Sequence, residues 1–318
     1  MDALKNDVLV LTAHGERQVG SEGHRAAREY LLQRMEQVSL ESYQGDSYEL
    51  PYELLNTQFT NLVGRIPGTG KDRAPILVGA HYDTCGPIPG ADDNASAIAI
   101  VLQMVDKLRS VTLARDVIVA FFDAEEPPHF MTGTMGSINF YNTQKTEEIA
   151  CAIILDLMGH DVPIRGYEDL LFITGMESHS ELEKVIRKTK VDERIRIVPA
   201  LNDYVGDLSD HHIFRVNDDP YLFLSCGRWE HYHMSTDTPE KLNYAKMDAM
   251  ADYLANLVVS CDRADFQNPL PDYDSTPTEL EYMNRTFGEL LQQFGVGKLK
   301  SRQEITMVAR MLMSTFGI

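Results

Sequence analysis

Positive charge is scarce in this chain of 318 residues, which carries 29 Lys and Arg against 48 Asp and Glu. The formal net charge of −19 argues against a nucleic-acid partner, because binding phosphates requires a basic surface. The same excess of acid suits a soluble protein and favours cationic ligands such as the free amino terminus of a peptide. Solubility is the simpler explanation of the charge, and we expect no nucleic acid among the partners.

Long apolar runs are also missing, since the longest have the length of single β-strands. We therefore expect no transmembrane helix and no membrane partner. The first residues include Asp2 and Asp7, where an export signal requires a basic and then an apolar region. A signal that had been removed would leave no trace in this sequence. We predict a cytoplasmic protein.

Cysteines are few, and their spacing is not that of a zinc finger. Two of them stand in or beside apolar runs and are expected to be buried, while a third is close in sequence to the polar motifs described below. We expect four free thiols. They are Cys85, Cys151, Cys226 and Cys261.

Apolar runs typical of buried strands alternate with segments that have apolar residues at helical spacing. The alternation predicts an α/β fold, with a mostly parallel mixed central sheet flanked by helices on both faces. Strand-like runs occupy residues 47–50, 60–66, 76–80, 115–122, 150–155, 170–174 and 221–225. Helical patterns occupy residues 21–38, 96–108, 178–188 and 244–261, and a further helix is expected to begin at residue 136.

A stretch rich in proline, residues 268–277, marks a boundary near the end of the chain. Beyond it, residues 279–294 and 303–316 read as two amphipathic helices. We divide the chain into a catalytic domain, residues 1–265, and a C-terminal helical extension, residues 266–318. The sequence leaves two roles open for the extension, which either packs on the main domain or forms a homodimer contact.

Acidic, imidazole and phenol side chains stand where several apolar runs end. Because the carboxyl ends of strands in an open α/β sheet gather at one crevice, we expect these groups to share a site. Imidazole and carboxylate ligands without thiolate suit zinc with an open coordination position, or cobalt or manganese. A pair of such metals with one further carboxylate as general base is equipped to hydrolyse an amide. The candidate residues are His81, Asp83, Asp92, Glu125, Glu126, Asp156, Tyr232 and His233.

Six short stretches, in this order along the chain, resemble peptidase family M28, the di-zinc exopeptidases that include aminopeptidases and glutaminyl cyclases. They are HYDT at His81, GADDNAS at Gly90, FFDAEE at Phe121, LDLMG at Leu155, SDHHIF at Ser209 and YHMSTDT at Tyr232. The resemblance implies a zinc-exopeptidase fold of the phosphorylase/hydrolase type, and it spans residues 20–241.

The resemblance also implies a set of metal ligands. His81 and Asp156 would bind one metal, Glu126 and His233 a second, and Asp92 would be the carboxylate that bridges both. Two zinc ions per chain are therefore expected, with cobalt or manganese as substitutes.

Further roles follow from the same resemblance. Glu125 would be the general base, and Asp83 would orient the imidazole of the first histidine ligand. Tyr232 would stabilise the oxyanion of the transition state. The peptide bond from Asp92 to Asp93 is expected to be cis, and Asp237 to support the turn that carries His233.

The assignment of His233 as a metal ligand has one alternative. His231 would share its side of an extended strand with His233, so it is the alternative ligand. A loop of residues 127–135 is longer than in simple aminopeptidases, resembles the longer loop of glutaminyl cyclases, and is expected to wall the substrate pocket.

The predicted function is a zinc-dependent, aminopeptidase-like exopeptidase acting on peptides or small amides with a free amino terminus. Three alternatives remain: a glutaminyl-peptide cyclotransferase that uses a single zinc, a deacylase of small amidated metabolites, and a non-catalytic relative of the fold. The last is disfavoured because such relatives usually lose ligands.

Overall fold

The computed structural model describes residues 2–70, 72–270 and 272–316, and nine strands of this part of the chain form one sheet. The strands are β1 (Glu41–Ser42), β2 (Glu49–Leu54), β3 (Thr57–Ile66), β4 (Ile76–His81), β5 (Val117–Phe122), β6 (Cys151–Leu155), β7 (Leu170–Thr174), β8 (Arg196–Pro199) and β9 (Tyr221–Ser225). Their order across the sheet is β1-β3-β5-β4-β6-β9-β7-β8, and β2 also pairs with β3.

The centre of the sheet is parallel and its flanks are not. Strands β5, β4, β6 and β9 lie side by side in one direction, so their carboxyl ends share one edge of the sheet. Strand β3 runs antiparallel to β5, and β7 runs antiparallel to β9. The predicted mostly parallel mixed sheet is therefore confirmed.

Helices cover both faces of this sheet, as the sequence predicts. Among the described residues they are α1 (Asp2–Leu11), α2 (Glu22–Gln37), α3 (Ala97–Leu108), α4 (Gly136–Asn139), α5 (Ser180–Lys188), α6 (Asn202–Val205), α7 (His212–Val216), α8 (Tyr244–Asp262), α9 (Thr276–Gln293) and α10 (Arg302–Phe316).

Alternate residues of each central strand supply the two cores. On β4, Ile76 and Val78 face the core that α3 and α8 cover, whereas Leu77 faces a second core with Phe140 and Phe214. Because both faces are buried, the central strands are apolar throughout, which explains why they appear in the sequence as continuous apolar runs.

Five elements are not predicted by the sequence: the helices α1, α6 and α7 and the strands β1 and β8. Helix α1 carries its buried residues Leu4, Val8 and Leu11 at helical spacing, a pattern that is visible in the sequence. Strand β8 spans only four residues and begins with Arg196, so its apolar run is too short to stand out.

The C-terminal extension packs on the main domain. The ring of Phe287 on α9 stacks on that of Tyr167, with 5.5 Å between the ring centroids. Arg187 of α5 donates hydrogen bonds to Glu281 over 2.6 Å and to Thr278 over 2.7 Å. This settles where the extension lies, while the domain boundary and a homodimer stay predictions. The proline-rich boundary includes Pro271, and the extension ends with residues 317 and 318, all outside the described residues.

None of the described helices has the length and apolar character needed to cross a membrane. The cytoplasmic location stays a prediction. The four cysteines are free thiols, as expected, and Cys151, Cys226 and Cys261 are buried while Cys85 is half-buried.

Candidate metal centre

The candidate site lies at the carboxyl edge of the four parallel strands. His81 is the last residue of β4, and Asp156 directly follows β6. Short turns after β5 and β9 bring Glu126 and His233 to the same edge. The backbone of Ala124, Leu157 and His233 has positive φ values of 56°, 55° and 56°. Non-glycine residues rarely adopt this conformation, and such strained positions cluster at functional sites.

Asp93 stands between the two histidines of this cluster. Its Oδ1 lies 3.3 Å from Nε2 of His81, and its Oδ2 lies 3.2 Å from Nε2 of His233. Asp156 Oδ2 is 3.6 Å from Nε2 of His81, and Glu126 Oε2 is 3.2 Å from Nε2 of His233. The cluster therefore has two similar halves, each an imidazole and a carboxylate, that share one bridging carboxylate.

These spacings fit ligands of divalent cations. Two atoms that each lie roughly 2.1 Å from one tetrahedral zinc ion are about 3.4 Å apart. A nitrogen and carboxylate donor set also suits zinc. Buried polar atoms without partners are costly, and a cation would satisfy those of the cluster. Within the described residues, the buried atoms without a hydrogen-bond partner include Nε2 of His81 and His233, Oδ2 of Asp93, Oε1 of Glu126 and Oδ1 of Asp156.

Electrostatics lead to the same conclusion. Burial, followed by the neighbouring Asp93, raises the pKa of Glu126 to about 8. Burial alone would lower the pKa of His233, but Asp93 and Glu126 raise it to about 10. Both shifts reflect carboxyl groups crowded around the imidazoles, and a bound cation would favour the charged form of those carboxyls.

Asp92 takes no part in this cluster, which corrects the expectation that it bridges the metals. Its Oδ2 lies 2.6 Å from Nδ1 of His160, and its Oδ1 accepts a hydrogen bond from the backbone N–H of Gly159 over 2.5 Å. The kinked backbone at Asp93 and Asn94 turns neighbouring side chains apart. The cis peptide bond likewise lies one residue later than expected, between Asp93 and Asn94.

Residues 61–258 match the model of peptidase family M28. The chain belongs to peptidase family M28. Its predicted class, a metallopeptidase of the hydrolase type, is confirmed with the family. The match ends before α9 and α10, so the C-terminal helices of this M28 chain lie outside it.

Similar chains include both uncharacterised and enzymatic proteins. An uncharacterised Escherichia coli K12 protein, YfbL, is 25% identical over 215 residues, covering 58% of this chain and 66% of that protein. A probable leucine aminopeptidase of Trichophyton verrucosum is 23% identical over 266 residues, covering 77% of this chain and 68% of that protein. The M28 chain thus spans about two thirds of the length of these two relatives.

Solved structures show the same fold. A Zn-dependent exopeptidase of Parabacteroides distasonis has a TM-score of 0.65 at 16% identity, covering 81% of this chain and 97% of that one. The glutaminyl cyclase of Tannerella forsythia has a TM-score of 0.64 at 18% identity, again covering 81% and 97%. The zinc-exopeptidase fold predicted for this M28 chain is confirmed.

Asp83 holds the loop that carries the acidic pair. Its two oxygens accept hydrogen bonds from the backbone N–H groups of Glu125 and Glu126 over 2.9 and 3.0 Å. Its Oδ1 also lies 3.4 Å from Nδ1 of His81. Asp83 therefore fixes the backbone of the acidic pair, while its expected role of orienting the imidazole stays a prediction.

Asp237 contacts the expected turn and, in addition, the loop that carries Asp93. Its carboxylate accepts hydrogen bonds from the backbone N–H groups of Asp92 and Asp93 over 2.9 and 3.1 Å. Its own N–H donates to the carbonyl of Met234 in the turn that carries His233. Asp237 thus ties the bridging carboxylate to the second histidine.

A buried guanidinium beneath the cluster was not anticipated. Arg17 donates hydrogen bonds to the carbonyl oxygens of Tyr82 and Gly90 over 2.8 Å each, and to that of Pro89 over 2.6 Å. Burial lowers the pKa of Arg17 to about 10, which leaves it protonated at neutral pH. Through these hydrogen bonds, Arg17 links the residues that directly follow β4 to those that directly precede the segment with Asp93. Nothing in its sequence context distinguishes this arginine from a surface one.

Glu125 faces the cluster from one side. Its Oε2 lies 3.9 Å from Nε2 of His81, farther than the candidate ligands do. Burial raises the pKa of Glu125 well above its usual value, and Glu126 and Asp156 act in the same direction. A buried carboxyl with a raised pKa is suited to exchanging protons near neutral pH.

Tyr232 stands beside the second histidine. Its ring stacks on that of His233 at 3.8 Å between centroids, and the guanidinium of Arg228 lies 5.0 Å from the Tyr232 ring centroid. Burial raises the pKa of Tyr232, so the phenol stays protonated and able to donate a hydrogen bond.

His231 and Cys85 also stand near the site. His231 lies outside the cluster, whereas Cys85 lies beside two of the candidate ligands. His231 turns away from the cluster and its Nδ1 lies 2.9 Å from Oγ1 of Thr236, so the competing histidine does not join the site. The thiol of Cys85 lies with Glu126 and His233 in a group whose potential ligand atoms are all within 4.8 Å. Burial raises the pKa of this thiol to about 11.

A cavity of about 480 Å³ opens onto the cluster. Glu125 and Tyr232 line it together with four of the candidate metal ligands, Asp93, Glu126, Asp156 and His233. Pro127 and Phe130 also line it, so the long loop after the acidic pair forms part of the cavity wall, and its contact with substrate stays a prediction.

Proposed function

We propose that this chain is a zinc-dependent exopeptidase of the aminopeptidase type, which hydrolyses the amide bond after the first residue of a peptide or small amide. The observation that supports it best is the position of Asp93 between His81 and His233. A second carboxylate, Asp156 or Glu126, completes each half of the cluster.

The two halves would each hold one zinc ion. His81, Asp93 and Asp156 would form the first site, and Asp93, Glu126 and His233 the second, with cobalt or manganese as substitutes. Bound there, the metals would polarise the scissile carbonyl and lower the pKa of a water molecule.

Glu125 supplies the proton transfers that hydrolysis requires. Its carboxylate takes a proton from the water that attacks the carbonyl carbon. When the C–N bond breaks, Glu125 returns that proton to the leaving amine, so the residue ends the cycle unchanged. Its Oε2 lies farther from Nε2 of His81 than the oxygens of Asp93 and Asp156 do, which favours this role over that of a ligand.

Tyr232 and the acidic rim position the substrate. The protonated phenol donates a hydrogen bond to the oxygen that becomes negative in the transition state. The excess of carboxylates around the cluster attracts the ammonium group of a free amino terminus. Attraction at this end selects chain termini over internal peptide bonds.

The test is mass spectrometry of two peptides, one beginning with Gln and one with Leu, incubated with zinc-loaded protein. Loss of the whole first residue supports the aminopeptidase. Loss of ammonia from the Gln peptide with its chain intact would overturn the proposal in favour of cyclisation, the activity named for the bacterial neighbour. Two unchanged peptides would also overturn it. Metal analysis of the same sample checks for two zinc ions per chain, and a single zinc would favour the cyclase.

A further inference from the structure

A second cavity lies beside the metal centre and is walled by the C-terminal helices. Its volume is about 90 Å³ and its walls are apolar. Helix α9 contributes Phe287, and α10 contributes Ala309 and Leu312. The edge of the sheet contributes Phe172 and Val198 from β7 and β8. Part of this wall comes from helices that the family match does not include.

This apolar cavity adjoins the cavity at the candidate metal centre. Five residues line both spaces: Val205, Phe223, Ser225, Gly227 and Met313. Met313 lies on α10, so the extension reaches the cavity that contains the metal cluster. A molecule bound at the metals therefore has apolar space within reach on the side of α10.

The helical wall is fixed in place. Arg302 at the start of α10 lies 2.5 Å from the carboxylate of Glu279 on α9, which is fully buried. The same guanidinium donates to the hydroxyl groups of Ser275 over 3.2 Å and of Tyr204 over 3.3 Å. Tyr204 belongs to α6 and itself lines the apolar cavity. The extension is thus joined to the main domain at the cavity wall.

We propose that the C-terminal helix pair selects the first side chain of the substrate, and that the apolar cavity takes an aliphatic side chain the size of leucine or methionine. This proposal rests on the proposed exopeptidase function. When the scissile carbonyl is at the metals, the side chain of the same residue branches one carbon away. The adjoining apolar cavity, which shares five lining residues with the cavity at the cluster, offers space for it.

The walls and the volume define the class of side chain. Apolar walls leave a polar group without a hydrogen-bond partner, which disfavours polar and charged side chains. An apolar cavity of about 150 Å³ holds a benzene molecule. The present cavity of about 90 Å³ is smaller and suits a branched or linear chain of a few carbons better than an aromatic ring.

The experiment compares kcat/KM for alaninamide, leucinamide and phenylalaninamide in the zinc-loaded full chain. Ala309→Phe fills the cavity, and Ser314→Phe adds the same ring at an exposed position of the same helix. We expect at least a tenfold preference for leucinamide over alaninamide in the unaltered protein, since one methylene in an apolar pocket is worth roughly 10- to 200-fold. Ala309→Phe should lower this ratio about tenfold or more, while Ser314→Phe should keep it.

A second variant enlarges the cavity instead of filling it, so the proposal can still be tested if Ala309→Phe does not fold. Met313→Ala removes most of a side chain that lines both cavities and should raise the ratio of phenylalaninamide to leucinamide by about tenfold. An unaltered protein without a preference for leucinamide over alaninamide would overturn the proposal. Ratios that both variants leave unchanged would overturn it as well.

Binding separates this proposal from the proposed function. If no amide is hydrolysed, titration calorimetry with free L-leucine and L-alanine still tests the cavity. If leucine binds more tightly than alanine, and Ala309→Phe but not Ser314→Phe abolishes the difference, the apolar pocket is supported. In that case the peptidase proposal fails while the pocket proposal stands. Equal affinity for the two amino acids overturns the pocket.

Discussion

The candidate metal centre and the C-terminal helix pair lie next to each other but differ in what they bury. One buries polar groups and the other buries an apolar core. The metal centre buries carboxylates and imidazoles that lack hydrogen-bond partners within the described chain, on a backbone with several left-handed residues. The helix pair buries Phe287 and Leu291 in a continuous apolar core, and its buried Glu279 faces Arg302. Activity and stability should therefore respond to different substitutions.

The largest difference between the effect on activity and the effect on stability is expected at Asp93, the bridging carboxylate. Asp93→Ala should lose both metals and all detectable turnover, because Asp93 faces both histidines. The fold should persist, since the substitution also removes one of several buried like charges. Metal analysis and a thermal melt of the same preparation check this. An active protein that retained both metals would rule out the bridging role.

Glu125→Gln should separate chemistry from metal binding. The amide cannot accept the proton of water, so we expect kcat to fall by about 10²- to 10⁴-fold. Metal content should stay at the unaltered level because Glu125 is not among the candidate ligands. Steady-state kinetics and metal analysis measure the two effects, and normal turnover in this variant would end the proposed mechanism.

At Leu291, a residue of the helix pair that does not line the apolar cavity, the expected effect is on stability alone. Leu291→Ala removes a buried side chain from α9 and should lower the free energy of unfolding by about 2–5 kcal/mol. Met307→Ala, on the exposed face of α10, should change it by less than about 0.5 kcal/mol. Urea denaturation measures both. Loss of metal from folded Leu291→Ala would show that the two regions are not independent.

The smallest effect is expected at Asp92, next to the bridging residue. Asp92→Asn should weaken zinc binding by about 10- to 100-fold, the range found when a group that supports metal ligands is changed. Competition with a chelator measures this affinity. A loss as complete as that of Asp93→Ala would show that Asp92 is a metal ligand after all.

The sequence predicts most of this site because the ends of parallel strands meet. Apolar runs show where β4, β5 and β6 end, and His81, Glu126 and Asp156 follow from those ends. The choice between Asp92 and Asp93 could not be made this way. Both are acidic and adjacent, and which one faces the crevice depends on the kinked backbone of Ala91–Ser96.

Long-range packing accounts for the other gaps. The hydrogen bonds of Arg17 reach carbonyl groups 65 to 73 residues away, and no local pattern signals such contacts. For α9 and α10, the amphipathic pattern shows that one face is buried but not which surface covers it. The pattern therefore left packing and dimerisation open, although both helices were predicted.

Arg17 supports the candidate site from outside the segment that matches the family. Residues 61–258 carry all the candidate ligands, yet the guanidinium beneath their loops comes from the segment before them. The wall of the apolar cavity comes from the segment after them. A fragment cut to the shared family segment would keep the ligand side chains but lose part of what positions them and their substrate. The family match therefore covers a shorter length of this chain than the residues that form and support the candidate site.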